Sequence, residues 1–140
     1  MEADIILCDT DIIIEYFNKN IPLLQFLGVI GIENLIITSI TRAEVQQGAI
    51  DKSHLNKLNR TLNKFPTLEI DDAISRRFGL QFERFILSHK CSIPDMLNAS
   101  AALVYDLPFI TMNLKDYRYI PGLNIVEHNL KPKRGGWMRP

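Results

Sequence analysis

Four acidic side chains, Asp9, Glu44, Asp95 and Asp116, stand at the places where alternating strands and helices would gather them. Asp9 lies just past the apolar run Ile5 to Cys8, Glu44 opens a helix after the run Leu35 to Ser39, and Asp116 closely follows Phe109 to Thr111. In open α/β sheets, ligands collect in the crevice outside the carboxyl ends of the strands, so topology brings these three acids to one edge. Asp95, behind Pro94, joins them only if its helix starts at the same edge. Carboxylates grouped in this way can hold a hard divalent cation through oxygen. Such an ion lowers the pKa of bound water, and a neighbouring carboxylate can accept the proton. Each acid also has a plainer explanation. Asp9 could cap a helix, Thr41 with Glu44 and Ser92 with Asp95 have the spacing of a capping box, and Asp116 could form a turn.

Other kinds of site find little support. Cys8 and Cys91 form neither a zinc spacing nor a disulfide framework, and His54, His89 and His128 are far apart in the chain. A metal here would therefore be held by oxygen, which favours magnesium or manganese over zinc.

The elements that must position the acids follow from hydrophobic periodicity. Short apolar runs alternate with longer amphipathic stretches, the pattern of βαβ units and a parallel sheet covered on both faces. Strands are predicted at Ile5 to Cys8, Leu35 to Ser39, Leu68 to Ile70, Phe109 to Thr111 and Ile125 to Val126. The intervening helices begin at Asp9 to Asp11, near Pro22, at Thr41, ahead of Leu55, at Asp71 or Asp72, and at Pro94. The fourth of these ends at Pro66, and Lys90 to Ser92 forms a turn.

A chain of 140 residues with 46% hydrophobic content fits one domain with its own core. The segment Met1 to Asp4 is acidic where a secretory signal would be basic, and the apolar run behind it is too short to span a membrane. The expectation is a soluble, cytoplasmic protein. Net charge is zero but unevenly spread. A basic tail, residues 129–140, carries Lys131, Lys133, Arg134 and Arg139 with no acid, which leaves residues 1–128 as an acidic domain of net −4. The tail reads either as a solvated terminus or as a contact for phosphates or an acidic partner.

Four ordered words surround the acids: Ile-Leu-Cys-Asp9-Thr-Asp-Ile, Ile-Thr-Ser-Ile-Thr-Arg-Ala-Glu44-Val, Ile-Pro-Asp95-Met-Leu-Asn-Ala, and Phe-Ile-Thr111-Met-Asn113-Leu-Lys-Asp116-Tyr. Together, from about Ile5 to Val126, they resemble PIN-domain nucleases, specifically the VapC type of toxin from bacterial and archaeal toxin–antitoxin pairs. The resemblance implies an α/β PIN-like fold, with a central parallel sheet flanked by helices on both faces, and magnesium-dependent endoribonuclease activity in which Mn2+ would substitute for Mg2+. By match to the family's motifs, Asp9, Glu44, Asp95 and Asp116 would be the catalytic and metal-binding acids, with Thr111 and Asn113 lining the site. It also implies a homodimer and a complex with a VapB-like antitoxin. Asp11 stands where the family often has Asn, which adds a possible carboxylate, and Cys91 stands where a turn glycine is frequent.

Hydrolysis by water at phosphorus, as the family implies, would leave 5′-phosphate and 3′-hydroxyl ends. The chain has no clustered histidine pair for the metal-independent route through the ribose 2′-hydroxyl. An acidic site for a polyanion also needs basic groups around it, and Arg42, Lys115 and Arg118 are the nearest in sequence. Three other readings stay open: a phosphate-accepting receiver, which leaves Glu44 and Asp95 without a task, a PIN-like module that binds without cutting, and a housekeeping RNA-processing nuclease.

Overall fold

The computed structural model describes residues 5–133. Strand β1, Ile6–Cys8, leads into helices α1, Thr10–Phe17, and α2, Ile21–Ile30. A short 3-10 turn precedes β2, Leu35–Thr38, which is followed by α3, Ser39–Gln47, α4, Lys52–Leu62, and β3, Thr67–Leu68. The long α5, Asp72–His89, and α6, Ile93–Val104, then return the chain to β4, Phe109–Ile110, and a second 3-10 turn, Leu114–Asp116. Among the described residues, no helix is long and apolar enough to cross a membrane.

All four strands are parallel in the order β3-β2-β1-β4. The connections from β1 move outward to β2 and β3, and the α5–α6 crossover then returns to the opposite side of β1. The order therefore reverses between β1 and β4, and a crevice opens at their carboxyl ends. Ile125 reaches the sheet as a single parallel bridge to Phe109, not as the predicted strand. The reason is local: Asn124 O and Val126 N exchange bonds with Phe109, but the chain then turns so that His128 can bond inward.

Side chains alternate across the sheet, and helices cover both faces. Ile6, Cys8, Leu35 and Ile37 pack with Ile12, Leu23, Leu27 and Leu58 from α1, α2 and α4. Leu7 and Phe109 point the other way, against Ile74, Phe85, Met96 and Ala99 from α5 and α6. The small residues Ala99, Ala101 and Ala102 of α6 share this cluster with Leu7 and Phe109 of the sheet.

Two helix starts decide the site. Ser92 caps α6, its hydroxyl accepting the Asp95 N–H at 3.2 Å, as the spacing predicts. Thr41, by contrast, is not a cap. Thr38 caps α3 by accepting the Thr41 N–H at 3.2 Å, so the helix starts earlier than expected and Glu44 lies in its second turn. The first residues of the basic segment are docked: buried Glu15 accepts the Lys133 N–H at 2.8 Å, and Asn20 Nδ2 donates to Lys131 O at 2.9 Å. Residues 134–140, with Arg134 and Arg139, lie outside the described residues.

Arg42, considered above for RNA contact, is occupied within the fold. Its guanidinium donates to Leu62 O at 3.2 Å, Asn63 Oδ1 at 3.1 Å and Thr67 Oγ1 at 3.3 Å, joining α3 to the end of α4 and to β3. A cation on the last carbonyls of a helix also suits its dipole. Arg42→Ala should lower the melting temperature by a few degrees, since a net loss near 1 kcal/mol moves it roughly 2 to 8 °C in domains near this size. A variant melting with the wild type would make the side chain ordinary surface.

Candidate active site

Asp9 is the first residue beyond β1 and the N-cap of α1, and it is buried. Its Oδ1 accepts the Thr10 N–H at 2.8 Å and Asn98 Nδ2 at 3.4 Å, and its Oδ2 accepts the Thr111 hydroxyl at 2.8 Å. Thr111 is the first residue beyond β4, so the strand reversal itself sets the two side chains face to face. Asp11, in the first turn of α1, uses Oδ2 to accept the Met112 N–H at 3.1 Å and also lies 3.3 Å from the Thr111 hydroxyl. Its Oδ1 is buried and has no hydrogen-bond partner among the described residues. Thr111 has a single proton for both acids, and the shorter distance assigns it to Asp9.

Glu44 reaches the same place by another route. Its Oε1 accepts the Thr10 hydroxyl at 2.7 Å. The Thr10 proton is thereby committed, so Thr41 donates to Thr10 Oγ1 across 2.9 Å, and Thr41 accepts from Asn98 Nδ2 at 3.2 Å. Asn98 Oδ1 in turn accepts the Thr38 hydroxyl at 2.6 Å, which fixes the orientation of the amide. A buried chain of polar groups thus joins β2, α3, α6 and α1 beneath the acids. Such a network is favourable only when its members are satisfied, and these are.

Asp95 lies one turn ahead of Asn98 on α6, half-buried, and Asp116 stands close enough for its charge to act on it. Asp116 accepts from Asn113 Nδ2, so Asn113 orients an acid from an exposed position. Asp95 and Asp116 line a cavity of about 170 Å3 together with Lys115. Arg118 is exposed, and its backbone N–H bonds Leu114 O at 2.9 Å. Between Asp95 and Asp9 lies the buried Tyr117 hydroxyl, which has no hydrogen bond of ordinary geometry among the described residues.

The electrostatics show crowding of like charge. Burial, with a contribution from Asp95, pushes the Asp9 carboxyl up to about 6. Burial and then the Asp9 charge push Asp11 up to about 7. Asp95 is raised by burial and by Asp116, and Tyr117 is raised by burial and by the charges of Asp9 and Asp95. The acids nevertheless form two groups. Among the described residues, no three His, Cys, Asp or Glu side chains converge closely enough to hold one ion. Glu44 is turned onto Thr10, and Asp95 and Asp116 face their own cavity. Even so, the donor set fits a hard divalent cation: the donors are oxygens alone, one buried carboxylate oxygen lacks a partner among the described residues, and the proton affinities are those of buried acids crowded by like charge.

Sequence reasoning missed Thr10, Thr41, Asn98 and Tyr117. Faint signals were present: Thr10 lies between two acids, Asn98 follows Asp95 at helical spacing, and Tyr117 adjoins Asp116. A further support is His128. Its Nδ1 accepts the Leu130 N–H at 3.0 Å, so Nε2 carries the proton and donates to Thr111 O at 2.6 Å, bracing the residue that holds Asp9.

The PIN domain family model matches residues 6–121. In structure, the chain is similar to one from a toxin–antitoxin complex of Klebsiella pneumoniae, at 28% identity and a TM-score of 0.72, covering 86% of this chain and 95% of that one. It is also similar in fold to chains of VapBC2 from Rickettsia felis bound to a DNA fragment from their promoter (20% identity, TM-score 0.75, covering 89% and 98%) and of FitAcB from Neisseria gonorrhoeae (20%, 0.71, 87% and 96%). No curated protein matches the sequence. With the family model spanning most of the domain and the parallel sheet, flanking helices and strand reversal in place, the chain belongs to the PIN domain family.

Proposed function

We propose that the protein is a metal-dependent endoribonuclease, the toxin of a toxin–antitoxin pair, and that it hydrolyses RNA at the crevice between β1 and β4. The observation that carries this reading is the buried pair Asp9 and Asp11, both with raised proton affinity and with one unpartnered oxygen between them. Acids are costly in such a setting unless they serve a cation. Asp9, Glu44, Asp95 and Asp116 would hold Mg2+ or Mn2+, with Glu44 released from Thr10 to do so. A divalent ion there would supply Lewis acidity toward the scissile phosphate and acidify the attacking water.

The chain's own groups do the rest. The Thr111 hydroxyl and Asn98 amide hold the two Asp9 oxygens in fixed directions, and the Thr10 hydroxyl holds Glu44 near them. Asp116, tethered by Asn113 at the rim, would take the proton from the attacking water, and Asp11 would be the alternative acceptor. A VapB-like antitoxin is the partner favoured by the complexes of similar structure, and a homodimer is the proposed assembly.

The test is direct. Purified protein incubated with RNA should cut in Mg2+ or Mn2+, stop in excess EDTA, and resume when metal is restored. Its products should carry 5′-phosphates. Cleavage that continues unchanged in EDTA, or that leaves cyclic phosphates, would overturn the reading.

A further inference from the structure

The cavity beside Asp95 and Asp116 is lined on its other side by features the proposed hydrolysis does not use. Tyr119 and His89 stack there, ring centroids 3.8 Å apart and planes 11° from parallel. Buried Phe85 meets both rings edge-on, at 5.0 Å from Tyr119 and 5.6 Å from His89, and so fixes the pair. His89 is the exposed member, with its Nδ1 engaged by Ser88 Oγ at 2.7 Å. The stack therefore ends on the more exposed of its two rings. Two exposed lysines, Lys115 and Lys90, also line the cavity.

Lys90 is the more informative of the two. It terminates α5 in the left-handed conformation, φ 49°, a C-cap position where glycine is the ordinary choice. The chain accepts a backbone cost there, as it does at Lys19 and Asp106, and sets a cationic residue in the cavity lining. The cavity, about 170 Å3, has room for one planar ring.

Resting on the nuclease reading, we propose that this cavity is a subsite for one unpaired nucleotide of the RNA next to the scissile phosphate, its base continuing the Tyr119–His89 stack and its phosphate meeting Lys90 and Lys115. Carboxylates and lysines then divide the work: the acids face the bond to be cut, and the cations meet the neighbouring phosphate. Stacking tolerates any base but requires an unstacked one, so the subsite selects single-stranded segments and loops over duplex.

His89→Ala and Lys90→Gly test this in the full-length protein. Lys90→Gly is informative because glycine relieves the positive φ, so the variant should melt no lower than the wild type. Affinity for a short fluorescent single-stranded RNA is measured in EDTA across a salt series, and cleavage of the same RNA in Mg2+. His89→Ala should weaken binding on the order of tenfold and raise KM more than it lowers kcat. Lys90→Gly should reduce the slope of log affinity against log salt by about one charge. Both variants binding and cutting as wild type does, with wild-type cleavage present, would overturn the subsite and spare the nuclease. A wild type that cuts no RNA in either metal would overturn both.

Discussion

Asp9→Asn should reduce RNA cleavage to background, a loss of about a hundredfold or more, without lowering the melting temperature of the metal-free protein. Asn has nearly the size of Asp, and its amide oxygen can still accept from Thr10 N–H and Asn98 Nδ2. The amide nitrogen then faces Thr111 Oγ, which can rotate to accept, so the helix cap and strand contacts survive. What disappears is the charge at the centre of the crevice. Loss of outer contacts to a metal site typically costs 10–100-fold, and removal of a group acting directly on the reacting centre costs on the order of a hundred- to a thousandfold. Glu44→Gln and Asp95→Asn should follow Asp9→Asn in activity. Thr111→Val should do less harm, about tenfold, because Thr111 acts through the groups its hydroxyl holds, Asp9 above all, and not at the reacting centre itself. Single-turnover cleavage beside thermal melts checks this order: an Asp9→Asn protein cutting within a few-fold of wild type would place the chemistry elsewhere.

The acids were legible in the sequence because each follows a strongly apolar strand or a helix-start signal, and both kinds of signal are local. Ser92 before Pro94 and Asp9 before an isoleucine run needed only neighbours to be read. The Thr41–Glu44 spacing misled for the same reason. It has the form of a capping box, yet Thr38 wins the cap because it ends β2 in extended conformation, while Thr41 is drawn inward to Asn98 and Thr10. No local rule reports that choice, since it depends on α6 arriving from 57 residues further along the chain. The same holds for Arg42, whose partners Leu62, Asn63 and Thr67 meet it only after α4 folds back. Residue type favoured charged groups as candidates, so Thr10, Thr41 and Asn98, which orient them from within the fold, passed unnoticed. The strand order β3-β2-β1-β4 is likewise a tertiary fact. Patterning predicts parallel strands and covering helices, but not that β4 returns beside β1, which is what brings Thr111 to Asp9.

The second large effect is on stability, and its sign follows from the raised carboxyls. Asp9 at about 6 and Asp11 at about 7 bind protons more tightly in the folded protein than in the unfolded chain, where both lie near 3.8. Below the unfolded value, both states are protonated and the pair costs nothing. As pH rises through the window from about 4 to about 7, the unfolded chain releases its protons first, and the fold loses stability until both acids are ionised. Each tenfold difference in proton affinity is worth about 1.4 kcal/mol, so the two acids taken singly would set an upper limit of about 7 kcal/mol, reduced because they share one local field. Metal-free protein should therefore melt several degrees higher at pH 5 than at pH 7.5, the reverse of a fold held by salt-bridged carboxylates. Mn2+ should erase most of the difference, stabilising more at pH 7.5 than at pH 5, because protons compete for its ligands. Asp11→Asn separates this cause from general charge effects. The amide oxygen can keep the Met112 N–H bond, but the amide nitrogen then occupies the site of the unpartnered oxygen, where a donor without an acceptor carries its own cost. Absolute melting temperature is thus ambiguous for this variant, whereas its pH dependence is not. The slope between pH 5 and 7.5 in EDTA should flatten by about half relative to the wild type, as one of two titrating acids is gone. A wild type whose melting temperature climbs over that interval without metal would mean that Asp9 and Asp11 are not held as crowded, metal-seeking acids.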